Sequence, residues 1–540
     1  MMESVGRKIW WASIVLALAF VGLGLFVSSW LFWLEVLFVP LALIGLYDVS
    51  QRRHSILRNF PVIAHLRYLL EGVGPELHQY FVENDEDGRP FGRDTRSLVY
   101  RRSKSVRDTK PFGTELDVYA DGYTYLAHSI STKPVPQDPV AALRINIGGP
   151  QCSKPYNASI LNISAMSFGA LSANAIKAMN TGAKMGRFAH DTGEGGLSPH
   201  HRAGGGDLIW QLGTGYFGAR NRDGSFSPEL FQQTATLDQV KMIEIKLSQG
   251  AKPGHGGILP GAKVSKEIAE TRLVEQGKDC LSPTYHPAFA TPVEMCSFIA
   301  QLRELSGGKP IGFKICIGDP REFMAIVKAM IQTDIYVDFI VVDGGEGGTG
   351  AAPLEFSDSM GAPLLEGLRT VHDTLVGAGV RDRIKVGASG KMVTAAAIAR
   401  VLSLGADWVN TARGFMFAVG CIQAQLCDTN RCPVGVATQD PKLQRALVVE
   451  DKSIRVQGFH KNTVHALAEM IASAGMEHTN ELSPRHFFTR IDGAKTVRLD
   501  KLHPKLDTEA LLSGAGPNVL QEMWDEATSA RFQPDISPVT

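Results

Sequence analysis

Three cysteines that lie close together in the chain have the residue type and spacing of a metal-cluster site. Cys421, Cys427 and Cys432 follow the pattern C-x5-C-x4-C within residues 419–438, and Pro433 comes directly after the last of them. Thiolates are soft ligands that suit iron–sulfur clusters, and a Cys-Pro ending also occurs in bacterial ferredoxin sequences. Three ligands rather than four indicate a three-iron (3Fe-4S) cluster or a four-iron cluster with an open corner. The alternative is that the three residues are small core side chains, since free cysteine is often simply buried.

The composition favours a large globular chain in a reducing compartment. Its 540 residues exceed the usual single core of about 250–300 residues, so we expect one large domain with additions. Apolar residues make up 44%, and 55 basic residues balance 55 acidic ones, which indicates neither disorder nor nucleic-acid binding. The four cysteines outside the cluster segment are scattered without disulfide-like spacing.

Two apolar segments near the N-terminus predict a membrane anchor. Residues 9–27 carry no charge and are long enough to cross the hydrocarbon core, and a second apolar segment covers 30–46. Basic pairs flank the two segments on their outer sides, so the positive-inside rule puts both ends in the cytoplasm. We therefore expect residues 1–53 to form a transmembrane hairpin in the cell membrane, with lipid as a partner and the catalytic part in the cytoplasm. The alternatives are a cleaved signal peptide and a single span, the latter because Glu35 is costly inside a membrane.

A repeating pattern of strands and helices predicts an α/β fold. We interpret the polar residues 54–158 as a lead-in layer, the repeats in 159–440 as the main domain, and 441–540 as a C-terminal extension. Alternating strands and helices predict a parallel sheet, and about eight repeats favour a (β/α)8 TIM barrel over an open sheet. The predicted strands are 160–165, 187–190, 208–211, 242–247, 311–315, 339–342, 384–386 and 408–410.

The fourth predicted strand has one apolar and one polar face. In residues 242–248, Glu244 and Lys246 alternate with isoleucines, as in a strand whose polar face points to a barrel axis. Lys314 repeats this theme on the next strand. The alternative is an edge strand with one solvated face.

The loops after the last two predicted strands have the composition of a phosphate site. Barrel active sites lie at the C-terminal ends of the strands, and phosphate is often held after the seventh and eighth. Here the loops are 387–391 and 411–414, where glycine N–H groups combine with Lys391 and Arg413 into a cradle for a dianion. The alternative is that each loop is merely a turn. A nearby iron–sulfur cluster needs a partner that exchanges single electrons, so we expect this phosphate to belong to flavin mononucleotide (FMN).

Further residues are expected around the flavin ring. Lys246 on the inner face would place positive charge beside N1 and O2 of the flavin, although a salt bridge to Glu244 or another inner acid is the alternative. The glycine-rich loop 343–350 would let backbone approach a flat ligand, with Gly345 and Glu346 as cofactor contacts. For Glu346 the alternative is a solvated loop carboxylate.

Six motifs, in order, closely resemble the FMN-binding synthase domain of glutamate synthase. They are residues 164–172, 192–196, 249–254, 259–264, 347–351 and 420–439. The resemblance covers about 159–439 and implies a (β/α)8 barrel, FMN, and a 3Fe-4S cluster on the three cysteines. It also implies reductive formation of glutamate from 2-oxoglutarate and ammonia, with electrons passing from the cluster to the flavin.

The resemblance also assigns residues to the two sites. The positions that match FMN contacts are Ser167, Gln211, Lys246, Gly390, Lys391, Arg413 and Gly414. Glu194, Lys252 and Arg272 match the 2-oxoglutarate site and, with Lys246, are the expected catalytic residues. A dicarboxylate needs two cationic anchors, and a guanidinium can bind a carboxylate bidentately. The alternative for Arg272 is an ordinary surface arginine.

The sequence departs from the family pattern near the expected substrate site. His255 stands where the family has an acid, Ile258 stands where it has an amide, and residues 282–287 and 387–390 also differ. An amino-acid or amine dehydrogenase that passes electrons to a membrane acceptor is therefore one alternative function. A non-catalytic electron-relay subunit of a membrane complex is another.

Neither a glutaminase domain nor a dinucleotide-binding fingerprint is evident in the sequence. We therefore expect ammonia to arrive free or from a partner, and electrons to come from a ferredoxin-like or membrane carrier. The small-molecule substrate would be a 2-oxo acid or an amino acid.

Overall fold

The computed structural model describes residues 2–534, which form two compact units that meet in sequence between Asp94 and Thr95. The N-terminal unit is helical. Its helices are α1 (Met2–Phe26), α2 (Glu35–Ser50), α3 (Ser55–Asn59) and α4 (Ala64–Leu77). A 3-10 turn, Ser29–Leu34, joins the first two helices, and a π-helical turn, His78–Val82, extends the last.

Helices α1 and α2 pack against each other as an antiparallel pair. The indole nitrogen of Trp10 donates to the carbonyl of Ala42 at 3.1 Å, and the rings of Phe20 and Phe38 stack at 5.4 Å. Gly45 leaves room for the Trp10 ring, which any Cβ there would overlap. Two stretches, Val5–Phe26 and Ser29–Ser50, are long and apolar enough to cross a membrane. The two predicted apolar segments are therefore helices of spanning length.

The second unit begins with short elements that lead into the main domain. They are α5 (Arg93–Ser103), β1 (Thr124–Leu126), α6 (Pro139–Ala142), β2 (Arg144–Ile147) and β3 (Tyr156–Ser159). Strands β2 and β3 form an antiparallel ribbon. Asp138 caps α6 by accepting from the backbone of Ala141, which starts the helix at the proline after the cap.

Ten strands follow, eight of which close into a parallel barrel. They are β4 (Leu161–Ile163), β5 (His190–Asp191), β6 (Leu208–Leu212), β7 (Val240–Lys246), β8 (Ile258–Leu259), β9 (Cys280–Leu281), β10 (Ile311–Ile315), β11 (Phe339–Asp343), β12 (Lys385–Ser389) and β13 (Trp408–Thr411). The barrel order is β4-β5-β6-β7-β10-β11-β12-β13, with β13 paired back to β4, whereas β8 and β9 form a separate antiparallel ribbon.

Helices connect the barrel strands, as a parallel sheet requires. They are α7 (Ala173–Gly186), α8 (Pro199–Ala203), α9 (Pro228–Ala235), α10 (Lys266–Arg272), α11 (Pro292–Leu305), α12 (Pro320–Thr333), α13 (Leu354–Ser359), α14 (Leu364–Gly377), α15 (Ala395–Ser403) and α16 (Arg413–Ala418). Several begin at a Ser, Thr or Asp whose side chain accepts from the first turn; Thr291 and Glu294 form a full capping box on α11. These caps hold the loops at the strand ends in place.

The barrel prediction is confirmed, with shifts in the strand limits. Each of the eight predicted runs overlaps a barrel strand, although the run 187–190 shares only His190 with β5. The edge-strand alternative for 242–248 is wrong because β7 pairs with both β6 and β10. The predicted loop 387–391 is wrong in part. Gly387 and Ser389 pair with β11 and β13, so only Gly390 and Lys391 lie in the loop after β12.

The C-terminal residues return to the barrel and to the lead-in segment. Their elements are α17 (Pro441–Gln444), α18 (Val449–Ser473), β14 (Phe487–Asp492), β15 (Lys495–Arg498), α19 (Leu499–Leu502) and α20 (Asn518–Glu526). Helix α18 packs on α7, where Gly182 lies against Val456. Strand β14 pairs with β1 and β15, so the chain segments before and after the barrel share one small sheet.

Candidate active site

A buried ion pair lies at the C-terminal end of the barrel. Lys246 is the last residue of β7, and its Nζ lies 2.7 Å from Oε1 of Glu194 in the loop after β5. The lysine is only 6% exposed. The alternative of a salt bridge to an inner acid is therefore found, with Glu194 as the partner in place of Glu244.

Two further cations lie beside the same carboxylate. Burial disfavours ionisation of Glu194, but the charges of Lys246, Lys252 and Arg272 outweigh it and lower the pKa of this carboxyl to about 2. Lys252 and Arg272 are 4% and 5% exposed. Burial, and then repulsion from Lys246, lower the pKa of Lys252. Three cations therefore surround one carboxylate, which leaves a surplus of positive charge in a buried place.

Arg272 ends helix α10 and points into the protein, so the surface alternative for this residue is wrong. Its Nη2 donates to the carbonyl of Phe168 at 3.1 Å, and its guanidinium lies 5.2 Å from the centre of the Phe217 ring. Its Nε is buried and has no hydrogen-bond partner within residues 2–534. An unsatisfied buried donor of this kind suits an anionic ligand.

Below the ion pair, the barrel interior is filled by alternating charges. Gln211 donates from Nε2 to Oε1 of Glu244 at 2.6 Å, and both side chains are buried. Burial favours the neutral form of Lys314, but Asp343 and Glu244 outweigh it and raise the pKa of this lysine. Burial and the charge of Glu244 raise the pKa of Asp191 well above its usual range. Glu244, Lys246 and Lys314 face inward as the alternation predicts.

His286 forms a hydrogen bond with the backbone of Lys246. It was not identified from the sequence as a site residue. Its Nε2–H donates to the carbonyl of Lys246 at 2.9 Å, and its Nδ1 accepts from the hydroxyl of Tyr216 at 3.1 Å. Burial lowers the pKa of His286 to about 4, so the imidazole is neutral at physiological pH. The residue lies within 282–287, a segment that departs from the family pattern, and this departure was the only sequence signal.

The glycine-rich loop after β11 places its two predicted residues differently. Both carboxylate oxygens of Glu346 accept from the backbone N–H of Leu364, at 3.2 and 3.0 Å, so this side chain caps helix α14. The ligand contact expected for Glu346 stays a prediction. Gly345 donates to the carbonyl of Ala362 at 2.8 Å, and a Cβ on Gly348 would overlap the guanidinium of Arg413. The loop thus passes close to the end of β13.

The residues of the expected phosphate cradle lie on neighbouring strands. Gly390 and Lys391 follow β12 and have φ values of +151° and +50°, which turn the chain sharply. Arg413 and Gly414 open α16 directly after β13, the strand paired with β12. Ser167 lies after β4, on the other side of β13. The structure therefore brings these predicted residues to one sector of the barrel mouth.

The three cysteines of the cluster segment lie in one electrostatic neighbourhood. Burial raises the pKa of Cys421 to about 12, and the charges of Cys427 and Cys432 add to this rise. The backbone N–H of Gln423 points to Sγ of Cys421 at 3.5 Å. Within residues 2–534, no group of three His, Cys, Asp or Glu side chains could hold a metal ion. A 3Fe-4S cluster on these three thiols therefore stays a prediction.

Contacts from other segments hold the cysteines beside the barrel mouth. Lys263 donates from Nζ to the carbonyls of Ala170 and Cys427, at 2.7 and 3.0 Å, and so joins the loop after β4 to the cluster segment. Tyr100 donates from its hydroxyl to the carbonyl of Cys421 at 2.6 Å. The charges of Cys421 and Cys427 also act on the guanidinium of Arg413. Sequence reasoning missed Lys263 and Tyr100.

Comparison with known proteins identifies the family. Residues 146–477 match the family model described as the conserved region in glutamate synthase. This range contains the ion pair, the glycine-rich loops and the three cysteines. The chain belongs to the glutamate synthase family. It is thus a glutamate synthase-like oxidoreductase, of the class that acts on CH–NH2 groups.

Relatives within the glutamate synthase family match to different extents. The glutamate synthase large subunit-like protein YerD of Bacillus subtilis is 39% identical over 512 residues, which cover 87% of this chain and 97% of YerD. The archaeal-type glutamate synthase (NADPH) of Thermotoga neapolitana is 32% identical over 319 residues, or 59% of this chain. The match covers 60% of the Thermotoga protein's own length.

Among solved structures, a flavocytochrome b2 variant resembles the chain with a TM-score of 0.41 and 16% sequence identity. The alignment covers 81% of this chain and 86% of that one. The barrel assignment itself follows from the strand pairing within this chain.

Two of the residues that depart from the glutamate synthase pattern, His255 and Ile258, lie in the segment after β7. The ring of His255 contacts Phe356 edge to face at 5.2 Å, and its Nδ1–H donates to the carbonyl of Gly256 at 2.9 Å. Ile258 belongs to β8 and pairs with Leu281 of β9. With these two residues in place, Lys246 and Glu194 form their ion pair at 2.7 Å.

Proposed function

We propose that the protein forms glutamate reductively from 2-oxoglutarate and ammonia, with FMN at the barrel mouth and a 3Fe-4S cluster on the three cysteines. The observation that carries this proposal is the group of Lys246, Lys252 and Arg272 around the single carboxylate of Glu194. A buried surplus of positive charge is costly unless an anion completes it, and a dicarboxylate supplies two negative charges.

Lys252 and Arg272 are the proposed anchors for the two carboxylates of the substrate. Arg272 is held by Phe168 and Phe217, and its unsatisfied Nε leaves a donor for a ligand oxygen. A guanidinium fixed in this way can orient a carboxylate because its donors lie in one plane. Lys252 acts as a second, point-like charge. Together they would hold the keto carbon in one position, which is the main contribution a protein makes to such a reaction.

The residues proposed to hold FMN surround the same mouth. The phosphate would be bound by Gly390, Lys391, Arg413 and Gly414, and the ring would lie near Ser167, Gln211, Lys246 and the backbone of Gly345. Glu346 would act through the helix that it caps and would leave the loop backbone to face the cofactor. Cys421, Cys427 and Cys432 would hold the cluster. When bound, the cluster supplies single electrons and the flavin supplies hydride.

Glu194 and His286 would set the position and charge of Lys246. The carboxylate of Glu194 accepts from Nζ of Lys246, and His286 donates to the backbone carbonyl of the same lysine. The ammonium group and the backbone of Lys246 are thus each held by one partner. The low pKa of Glu194 keeps the carboxylate ionised, and so the ion pair persists near neutral pH. A fixed positive charge in a water-poor site stabilises negative charge more strongly than a mobile one in water.

We further propose that helices α1 and α2 span a membrane as a hairpin, which would attach the enzyme to the cytoplasmic face of the cell membrane. Their length and apolar composition support this assignment. Electrons would come from a ferredoxin-like or membrane carrier, and ammonia would come from solution or from a partner protein.

The test uses the purified full chain under anaerobic conditions. After chemical reduction, we expect flavin absorbance to return only when 2-oxoglutarate and ammonium are both present, with glutamate formed in equal amount. The Lys252→Met variant should lose this response, whereas Lys266→Met, at an exposed position of α10, should retain it. Reoxidation that is independent of 2-oxoglutarate would contradict the proposal.

An amino-acid or amine dehydrogenase is the second candidate. It is favoured by His255 and Ile258, which change the polar groups in the segment after β7. In this case an amino acid or amine, added anaerobically to the oxidised protein, should bleach the flavin absorbance. The same spectrophotometer trace therefore separates the two directions of reaction.

A further inference from the structure

Helix α4 carries a stripe of apolar side chains that are exposed in the part of the chain that the structure describes. Within Ala64–Leu77 the stripe, which we call the α4 stripe, consists of Leu66, Leu69, Leu70, Val73 and Leu77. These side chains are 55%, 63%, 53%, 41% and 44% exposed, in that order. Their spacing of three, four, seven and eleven residues from the first puts them on one face of a helix. The turn after the helix continues with Phe81 and Val82, which are also exposed.

A helix with such a stripe normally buries it. Ala64 is the only buried residue among those of α4. An isolated helix of this length is marginal in water, and most helical stability in proteins comes from burial of an amphipathic face. Polar residues, among them the ion pair of Arg67 and Glu71, lie off the stripe. The pattern therefore indicates that an apolar surface covers the α4 stripe when the helix is stable.

The start of α4 is fixed to the end of the helical hairpin. Asp48, in the last turn of α2, is fully buried and accepts from the backbone of Val62 and from Nε2–H of His65, both at 2.8 Å. Near the start of α1, Gly6 lies so close to Phe60 that a Cβ would come within 2.9 Å of its Cα. The candidate spans begin at Val5 and end at Ser50. The first turn of α4 therefore lies at the level where both spans reach the same membrane face.

The charges around this point match an anionic surface. Between the end of α2 and the end of the π-helical turn the chain has four arginines and two glutamates. Arg52, Arg53 and Arg58 are exposed. These three arginines lie just before α4, whereas α4 itself carries Arg67, Glu71 and Glu76. Basic side chains next to a membrane-spanning segment favour contact with the headgroups of anionic lipids.

We propose that helix α4 lies in the interface of an anionic bilayer, with the α4 stripe inserted among the upper acyl chains. This inference rests on the proposed hairpin anchor. It adds a third membrane contact, which would hold the chain after the anchor parallel to the membrane surface. The occupant of the stripe is therefore lipid and not a second copy of the chain.

The test measures depth in the membrane at single positions of the full-length protein. A fluorescent amino acid replaces Leu69 on the stripe or, as the matched control, Glu71 on the polar side of α4; a third protein carries it at Val15 in α1. Each protein is reconstituted in nanodiscs of phosphatidylcholine and phosphatidylglycerol, with or without brominated acyl chains. We expect quenching by bromine at position 69 to exceed that at position 71 by at least about twofold.

The three positions separate this inference from the hairpin proposal. Quenching at position 15 but not at position 69 would overturn the inference and leave the hairpin intact. No quenching at position 15 would contradict the hairpin, and the inference with it. Blue-shifted emission at position 69 without quenching would show that protein covers the stripe, and would also overturn the inference.

A second measurement guards against an effect of the label. Substitution of Leu69→Glu together with Val73→Glu should increase amide hydrogen exchange in residues 64–77 at least about tenfold in nanodiscs, because charge on the stripe weakens insertion. The matched control, Glu71→Gln with Glu76→Gln on the same helix, should leave exchange unchanged or slower. Equal exchange in the Glu-substituted and wild-type proteins would overturn the inference.

Discussion

The barrel mouth and the N-terminal unit distribute charge and apolar surface in opposite ways. At the mouth, Lys246, Lys252 and Arg272 are buried around Glu194. In the N-terminal unit, apolar side chains of α1, α2 and α4 are exposed, and Asp48 is a buried charged residue. In a protein surrounded only by water, buried cations and exposed apolar helices would both be unfavourable.

The difference indicates that the two regions suit partners of different chemistry. Buried cations need an anion, so the barrel mouth suits small charged ligands. Exposed apolar helices need an apolar medium, so the N-terminal unit suits lipid. Substitutions in one region should therefore leave the other unchanged, and this independence can be tested.

The largest effect is expected from removing the central cation of the mouth. Lys246→Met should lower turnover at least about 100-fold, because a fixed charge at the reacting ring is lost. It should also destabilise the barrel by about 3–5 kcal/mol, because Glu194 remains buried without its partner. The measurements are steady-state turnover and flavin content.

Two controls accompany this prediction. Lys241→Met lies on the same strand, at its partly exposed end, and should retain wild-type turnover. Adding Glu194→Gln to Lys246→Met should restore most of the stability but not the turnover. Turnover that recovers in the double variant would contradict the proposed role of the lysine.

Loss of iron from the cluster segment should leave flavin binding unchanged. Cys427→Ser should reduce the iron content to background and remove the electron paramagnetic resonance signal of a three-iron cluster, with flavin content preserved. Cys152→Ser, outside the segment, should keep full iron. Iron retained by the Cys427 variant would show that the three thiols do not act as a set.

Acid should weaken the barrel mouth. The pKa of Glu194 is about 2 against an ordinary value of 4.5, so its ion pair contributes stability above pH 4.5. That contribution, on the order of 3 kcal/mol, should be lost as the pH falls from 4.5 towards 2. Denaturant unfolding followed by flavin release at several pH values tests this expectation. The slope between these pH values should be shallower for Glu194→Gln.

A smaller effect is expected in the N-terminal unit. Asp48→Ala removes the acceptor of two hydrogen bonds, one from Val62 and one from His65. This should destabilise the start of α4 by about 1–3 kcal/mol. Hydrogen exchange in 60–70 should rise, while turnover and iron content should stay at wild-type values. A fall in turnover would show that the two regions are coupled.

Local patterns explain why much of the barrel was predictable. Period-two alternation in 242–248 and glycine-rich loops after apolar runs depend only on neighbouring residues, and all eight strands were recovered. The limits of β12 were less certain, because Gly387 and Ser389 resemble loop residues until their pairing with β11 and β13 is known.

Partners that are distant in sequence explain what was missed. Tyr100 lies 321 residues from Cys421, and His286 lies 40 residues from Lys246, yet both donate to those residues' carbonyls. Glu346 accepts from the backbone N–H of Leu364 at the start of α14, a contact that its loop sequence does not indicate. No local pattern predicts which backbone group a side chain will reach.

The sequence by itself determined the residue types and their order along the chain: the apolar N-terminal segments, the barrel repeats, and the three cysteines. Only the tertiary structure decided that Lys246, Lys252 and Arg272 converge on Glu194, and that the α4 stripe stays uncovered. The physical reason is that periodicity and propensity act between neighbours in the chain. Burial and charge pairing, in contrast, depend on which distant segments are brought together when the barrel closes and the helices pack.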